Sequence, residues 1–259
     1  MPQTTFARPS SSVILVRDAG HGLETFMVRR HARSRVAPRA YVFPGGTVRQ
    51  DDLLATPVDL PAEVLARADC PVAPSQAAGY FVCAVRELFE EAGVLLVRER
   101  EGGLMGVDDA DQRLQERLAA MRLALQARQM SFQNVLDHAG WRPAWDLLVP
   151  FSHWVTPWSM PARFDTRFFV AEMPPRQQAL HCTIETSDGA WLRPADALQG
   201  DYDIVFATAQ HLRRIADCSS VADLLAFARA KPIRRVQPRV VHQDSGLSVW
   251  IAPDLVDNW

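Results

Sequence analysis

Cysteine is scarce and scattered: Cys70, Cys83, Cys182 and Cys218 lie far apart, and no Cys-x-x-Cys pair occurs in the 259 residues. That spacing argues against a disulfide framework or a structural zinc site and for a reducing compartment. Long apolar runs are missing as well. Val13 to Val16, the apolar stretch nearest the amino end, has neither the length of a spanning helix nor the basic flank of a signal segment. Charge of one sign is not in excess: 28 Lys and Arg face 30 Asp and Glu, and the formal net charge of −2 supplies no global drive toward nucleic acid or a membrane. Repeats and low-complexity tracts are absent, and no Ser-His-Asp or Cys-His arrangement offers a nucleophile. With no signal or spanning segment a soluble, cytoplasmic protein is expected, and Val256-Asp257-Asn258-Trp259 is not a Ser-Lys-Leu address.

What is present is globular composition, 48% hydrophobic and 22% charged, enough for one elaborated domain over about residues 10–259. Its organising stretch is Arg86-Glu87-Leu88-Phe89-Glu90-Glu91-Ala92-Gly93-Val94. Phe81, Ala84, Val85, Leu88 and Ala92 recur at helical spacing and predict a helix over about Ser75 to Ala92 with one apolar face. Glu87, Glu90 and Glu91 then project together, away from that face. Like charges at this spacing repel, so the patch needs a cation. Carboxylate oxygens suit Mg²⁺ or Mn²⁺, with substrate phosphates completing the shell. Gly93 follows as a left-handed helix stop.

Upstream, Tyr41-Val42-Phe43-Pro44-Gly45-Gly46 reads as a short strand broken by Pro and two glycines, with room for a phosphate to approach the backbone. Gly46 and the run from Arg86 to Val94 together resemble the box of Nudix hydrolases, Gly-x5-Glu-x7-Arg-Glu-U-x-Glu-Glu-x-Gly-U, with U a bulky aliphatic residue. The second half matches at every fixed position. The first half departs: Arg86 stands forty residues after Gly46 where the pattern has fourteen, an insertion of about 26 residues. Counting forward from Gly46 reaches Asp52 and counting back from Arg86 reaches Ala78, so the first Glu of the box has no clean counterpart. This split, with Arg163-Phe164-Asp165-Thr166-Arg167-Phe168-Phe169, is similar to the branch of the peroxisomal coenzyme A diphosphatases.

The resemblance implies an α/β fold, a mixed β-sheet sandwiched between helices (α/β/α), with helical insertions at about 47–74 and 103–140 and a helical and hairpin extension at about 204–259. Local patterns predict a hairpin from Ser11 to Arg17 and Glu24 to Arg30, a short helix near Pro61 to Ala68, and a strand at Val94 to Val97. Helices follow at Leu114 to Leu125 and Phe132 to His138, then strands at Asp146 to Val155, through Arg163 to Ala171, and at His181 to Thr186. Two helices, Ile204 to Ile215 and Val221 to Ala230, precede a basic strand with solvated arginines at Lys231 to Arg239 and a terminal hairpin around Asp244-Ser245-Gly246.

Several residues become candidates. Arg30 is one of a cluster of arginines near the Gly45-Gly46 turn, and guanidinium forks suit phosphate. Arg163 and Arg167 are expected to reach substrate phosphate or an acidic neighbour. Glu185 or Asp188 could supply a late carboxylate that binds metal or takes a proton from water, as the resemblance implies. It also implies catalysis by Arg86, Glu87, Glu90 and Glu91, with Mg²⁺ or Mn²⁺ on Glu87, Glu90 and Glu91, Gly45 and Gly46 shaping the substrate loop, and Arg86 orienting a box glutamate. The activity implied is hydrolysis of a diphosphate linkage in a small nucleotide conjugate: coenzyme A or acyl-coenzyme A first, NADH or ADP-ribose as alternatives. A nucleotide-sensing module without turnover is the reading from another class. Neither nucleic acid nor membrane is an expected partner, and a homodimer is left open.

Overall fold

The computed structural model describes residues 6–54, 62–67, 74–107, 110–182, 186–243, 246–256 and 258–259. The chain opens with β1 (Arg8–Ala19), β2 (Gly22–Arg30), β3 (Tyr41–Val42) and β4 (Gly45–Thr47). Helices α1 (Gln50–Leu54), α2 (Ala62–Arg67) and α3 (Pro74–Ala92) follow. Then come β5 (Val97–Arg98), α4 (Gln112–Gln126), α5 (Phe132–Ala139), β6 (Arg142–Pro143), β7 (Val149–Val155), β8 (Phe164–Glu172) and β9 (Thr186–Leu192). The remainder is α6 (Pro194–Gln199), α7 (Phe206–Ile215), α8 (Val221–Ala230), β10 (Arg235–Val236), β11 (Arg239–Gln243) and β12 (Gly246–Trp250).

Eight of these strands form one mixed sheet in the order β10-β7-β8-β1-β2-β3, with β4 also on β1 and β9 on β2. β1 lies at its centre because Val13-Ile14-Leu15-Val16 is apolar at every position, as a strand covered on both faces must be. Successive side chains point to opposite faces. Val13 and Leu15 meet Phe81, Val85, Leu88 and Phe89 of α3, and α4 adds Leu118, Met121 and Leu125. Ile14 and Val16 meet Leu212 and Ile215 of α7, Leu224 and Ala228 of α8, and Trp259. Each such fully buried side chain contributes about 1.5–3 kcal/mol over an exposed one. The layers are therefore helix, sheet, helix, as expected.

Parallel pairing of β8 with β1 sets the register that matters for the site, with Arg167 beside Ser11 and Thr166 beside Ser10. On the other edge of β1, Ser11 pairs Gly46 and Ser12 pairs Gly45. The Gly45-Gly46 turn is thus fixed against the central strand, under the last turns of α3.

Four expectations need correction. Val94 to Val97 is buried but not a strand over its length; only Val97 and Arg98 pair, with β6, in a separate two-stranded ribbon. Apolarity there serves to cover the core rather than to extend the sheet. Of the strand expected at His181 to Thr186, His181 and Cys182 are outside any strand, residues 183–185 lie outside the described residues, and the described strand runs from Thr186 to Leu192 in pairing with β2. The first insertion carries α1 as well as α2. Lys231, placed in a solvated basic strand, is buried, its Nζ donating to the Trp259 carbonyl at 2.6 Å and lying over the Phe151 ring. Burial pushes its amine pKa down to about 7.

Candidate active site

Helix α3 forms as its apolar period predicts and stops at Gly93, which adopts φ +70°. Its last turns carry Arg86, Glu87, Glu90 and Glu91, all buried. The acids do not project into open solvent. Gly46 lies directly against the Glu87 carboxylate, so a Cβ there would overlap Oε1. Gly45 donates its N–H to Glu91 Oε2 at 2.8 Å. Both glycines are required, Gly45 because a Cβ would run into the Ser11 carbonyl of β1.

Arg86 is the hub. Its Nη1 donates to Glu87 Oε1 at 2.6 Å and to Glu90 Oε1 at 3.0 Å. Its other edge grips Asp52 of α1, Nε to Oδ1 and Nη2 to Oδ2, both at 2.8 Å, and Nη2 also donates to the Thr47 carbonyl at 3.0 Å. Asp52 in turn accepts from the Arg49 N–H at 2.8 Å. Burial alone would favour a neutral Arg86, but Glu87 and Asp52 override it and raise the pKa, so the guanidinium stays charged. Asp52, the position reached by counting the first box Glu forward from Gly46, is thus supplied by α1 of the first insertion and bonded to the Arg of the box.

A second guanidinium completes the cluster. Arg49 Nη2 donates to Glu90 Oε2 at 2.8 Å, and Nη1 donates to the Leu125 carbonyl of α4 at 3.2 Å. Helix α4 also holds the backbone of Glu90, whose carbonyl accepts from Arg122 Nε at 2.9 Å and Gln126 Nε2 at 2.6 Å. The second insertion thus packs on α3, the helix that carries the acids.

Four buried carboxylates, Asp52, Glu87, Glu90 and Glu91, crowd around the guanidiniums of Arg86 and Arg49, with Arg122 also near Glu91. Glu87 shows the strain: burial, reinforced by Glu90 and only partly offset by Arg86, lifts its pKa to about 7. A hard divalent cation fits both the crowding of like charge and the oxygen donors. As arranged, however, the acids face guanidiniums and a backbone N–H rather than one point; among the described residues no three His, Cys, Asp or Glu side chains converge to hold a metal. Loading such an ion requires the acids to turn.

The remaining candidates lie elsewhere. Arg30 Nε donates to the Val36 carbonyl at 2.9 Å. Arg163 is buried, donates to the Thr156 and Pro157 carbonyls at 3.2 Å and lies over the Trp158 ring at 3.8 Å. Arg167 is buried in an ion pair with Asp165, which His153 also meets at 2.8 Å, and its guanidinium covers the Tyr80 ring at 4.8 Å. Of the two outcomes foreseen for Arg167, the acidic neighbour is the one observed. Glu185 lies outside the described residues. Asp188 accepts from the Tyr41 hydroxyl at 2.8 Å, which helps push that phenol to about 12 after burial itself. Sequence reasoning counted its way to Asp52 without its partner, and missed Arg49, Arg122 and Gln126, single polar residues with no local signal.

Comparison with known proteins places the fold in a family. The NUDT19 Nudix domain family matches residues 65–211, more than half of the chain. The acyl-coenzyme A diphosphatase NUDT19 of Xenopus laevis is 26% identical over 211 residues, 69% of this chain and 54% of that protein. Its counterpart in Gallus gallus is 29% identical over 244 residues, 79% of this chain and 64% of that protein. The chain thus spans just over half to under two thirds of these relatives' lengths. The crystal structure of a Nudix hydrolase from Alicyclobacillus acidocaldarius superimposes with TM-score 0.65 at 27% identity, covering 86% of this chain and 96% of that one. No helix among the described residues is long and apolar enough to cross a membrane. Fold, box and family match converge: the chain belongs to the Nudix hydrolases, within the NUDT19 Nudix domain family.

Proposed function

We propose that the chain hydrolyses the diphosphate linkage of coenzyme A or an acyl-coenzyme A, using Mg²⁺ or Mn²⁺ held by Glu87, Glu90 and Glu91. The observation that carries the reading is the buried cluster of Glu87, Glu90 and Glu91 packed against Gly45 and Gly46, with burial raising the Glu87 pKa to about 7. The substrate class rests on the names of the relatives, acyl-coenzyme A diphosphatases.

When bound, a divalent cation supplies charge neutralisation at the phosphates and a lowered pKa for the attacking water. The chain's own residues prepare for it. Arg86, fixed on Asp52, holds Glu87 and Glu90 on one side of α3. Gly45 fixes Glu91 through its N–H, and the bare backbone of Gly46 leaves room for the Glu87 carboxylate. Burial excludes water from the acids, so their charges act at low local dielectric. Arg86 and Asp52 are positioning residues, since neither is required to touch substrate.

The test is a hydrolysis panel of coenzyme A, acyl-coenzyme A, NADH and ADP-ribose with Mg²⁺ and Mn²⁺, repeated with Glu90→Gln. Cleavage of the coenzyme A species to a 3',5'-bisphosphate nucleotide and a phosphopantetheine, abolished in the variant, is expected. Preference for NADH or ADP-ribose would overturn the substrate. No turnover on any, or full activity in Glu90→Gln, would overturn the hydrolytic assignment.

A further inference from the structure

Arg49 and Arg86 both bind Glu90, but they are held very differently. Arg86 makes two bonds to Asp52 and one to Thr47 in addition to its glutamates, and its side chain is 2% exposed. Arg49 has a single bond to the Glu90 carboxylate, a second to the Leu125 carbonyl, and a side chain 19% exposed. Leu125 lies in the last turn of α4, whose carbonyl end carries partial negative charge. The guanidinium is therefore tethered at one nitrogen and replaceable at the other.

Glu90 Oε2, the oxygen that Arg49 occupies, belongs to one of the three acids assigned to the metal. Oε1 already receives Arg86. A cation binding Glu90 at Oε2 thus meets Arg49 as its immediate competitor. A guanidinium displaced from there would lie beside the phosphates that such a cation would hold, and guanidinium binds phosphate oxygens strongly and directionally. We propose that Arg49 is a displaceable counter-ion, which yields Glu90 to the divalent cation and swings, still tethered to Leu125, onto the bound diphosphate. This rests on the metal-dependent reading above. It makes Arg49, which no box position specifies, a substrate-contacting residue supplied by the first insertion and anchored by the second.

The experiment titrates Mn²⁺ alone into the full chain, following free Mn²⁺ by electron paramagnetic resonance, for wild type, Arg49→Gln and Arg49→Lys. Removing the competing charge in Arg49→Gln should tighten Mn²⁺ binding about tenfold, or about 1.4 kcal/mol. Arg49→Lys keeps the charge but cannot bridge Glu90 and Leu125, so about threefold tightening is expected. With saturating Mn²⁺ and acyl-coenzyme A as substrate, Arg49→Gln should raise KM at least tenfold, the opposite direction to its metal affinity. Unchanged or weaker Mn²⁺ binding in Arg49→Gln, or an unchanged KM, overturns the proposal while leaving the hydrolytic reading intact. Should Arg49→Gln not fold, absence of tightening in Arg49→Lys overturns it equally. Absence of Mn²⁺ binding in wild type removes the metal-dependent reading itself, and the proposal with it.

Discussion

Asp52, on α1 of the first insertion, and Arg86 of α3 close two parallel bonds of 2.8 Å, Nε to Oδ1 and Nη2 to Oδ2. Both side chains are almost completely buried, at 1% and 2% exposure. The pair ties the first insertion to the box and leaves Nη1 of Arg86 to hold Glu87 and Glu90.

Asp52→Ala takes two charge-assisted bonds from a buried guanidinium that keeps Glu87 and Glu90, a loss of about 1.5–3 kcal/mol. The melting temperature should therefore fall by about 3–12 °C, given the roughly 2–4 °C per kcal/mol usual for domains of this size. Asp52→Glu, which restores the charge with a longer reach, should recover part of both stability and kcat. A melting temperature unchanged in Asp52→Ala would show that Arg86 is held by other means.

Gly45 and Gly46 should fail in different ways when changed to Ala. At Gly45 the new methyl meets the backbone of Ser11 and Ser12, which cannot give way without moving β1, so a stability loss of about 1–3 kcal/mol is expected. At Gly46 it meets the end of the Glu87 side chain, which can swing aside. Gly46→Ala should then stay folded but lose about 10²-fold in kcat, the scale of effect that a misplaced catalytic group produces. Denaturant midpoints and steady-state rates for both variants check this contrast.

The helix that carries the acids was legible in the sequence because its period is local: Phe81, Val85, Leu88 and Ala92 sort one face whatever the rest of the chain does. Asp52 was legible only as a count, since its partner is thirty-four residues away and nothing local announces the pair. Alternation puts Asp165, Arg167 and Phe169 on one strand face and so offers Arg167 either substrate phosphate or an acidic neighbour; the fold pairs it with Asp165. Val94 to Val97 shows the limit of apolarity without period. A buried run of four reads equally as strand or as covering loop, and only Val97 pairs. Arg49 gave no signal at all, because a lone arginine in a loop acquires meaning only from the Glu90 and Leu125 atoms the fold brings to it.

Arg167 should prove a stability residue. Arg167→Met is expected to destabilise by about 2–4 kcal/mol, below the full cost of breaking a buried pair because Asp165 keeps 27% of its side chain exposed. KM should be unchanged. A KM raised tenfold with unchanged stability would instead place Arg167 on the substrate.

His211 makes folding acid-sensitive. Completely buried, it donates from Nδ1–H to the Ala207 carbonyl at 2.6 Å and accepts at Nε2 from the Ser152 hydroxyl at 2.6 Å. Burial lowers its pKa from 6.5 to about 3, so in that window the unfolded chain binds the proton and the folded chain does not. The contribution is fully present above pH 6.5 and is lost as pH falls toward 3, by about 1.4 kcal/mol per unit. Urea midpoints from pH 8 to pH 5 should fall about 2 kcal/mol further in wild type than in His211→Leu. Parallel curves for the two would exclude His211 as the source.

Every role proposed for the site depends on the buried acids holding a divalent cation. Isothermal titration of Mn²⁺ into wild type, Glu87→Gln, Glu90→Gln and Glu91→Gln measures this directly, without substrate. Saturable binding in wild type, weakened at least tenfold in each folded variant, is the result predicted; no saturable binding in wild type, or equal affinity in all four, would contradict it.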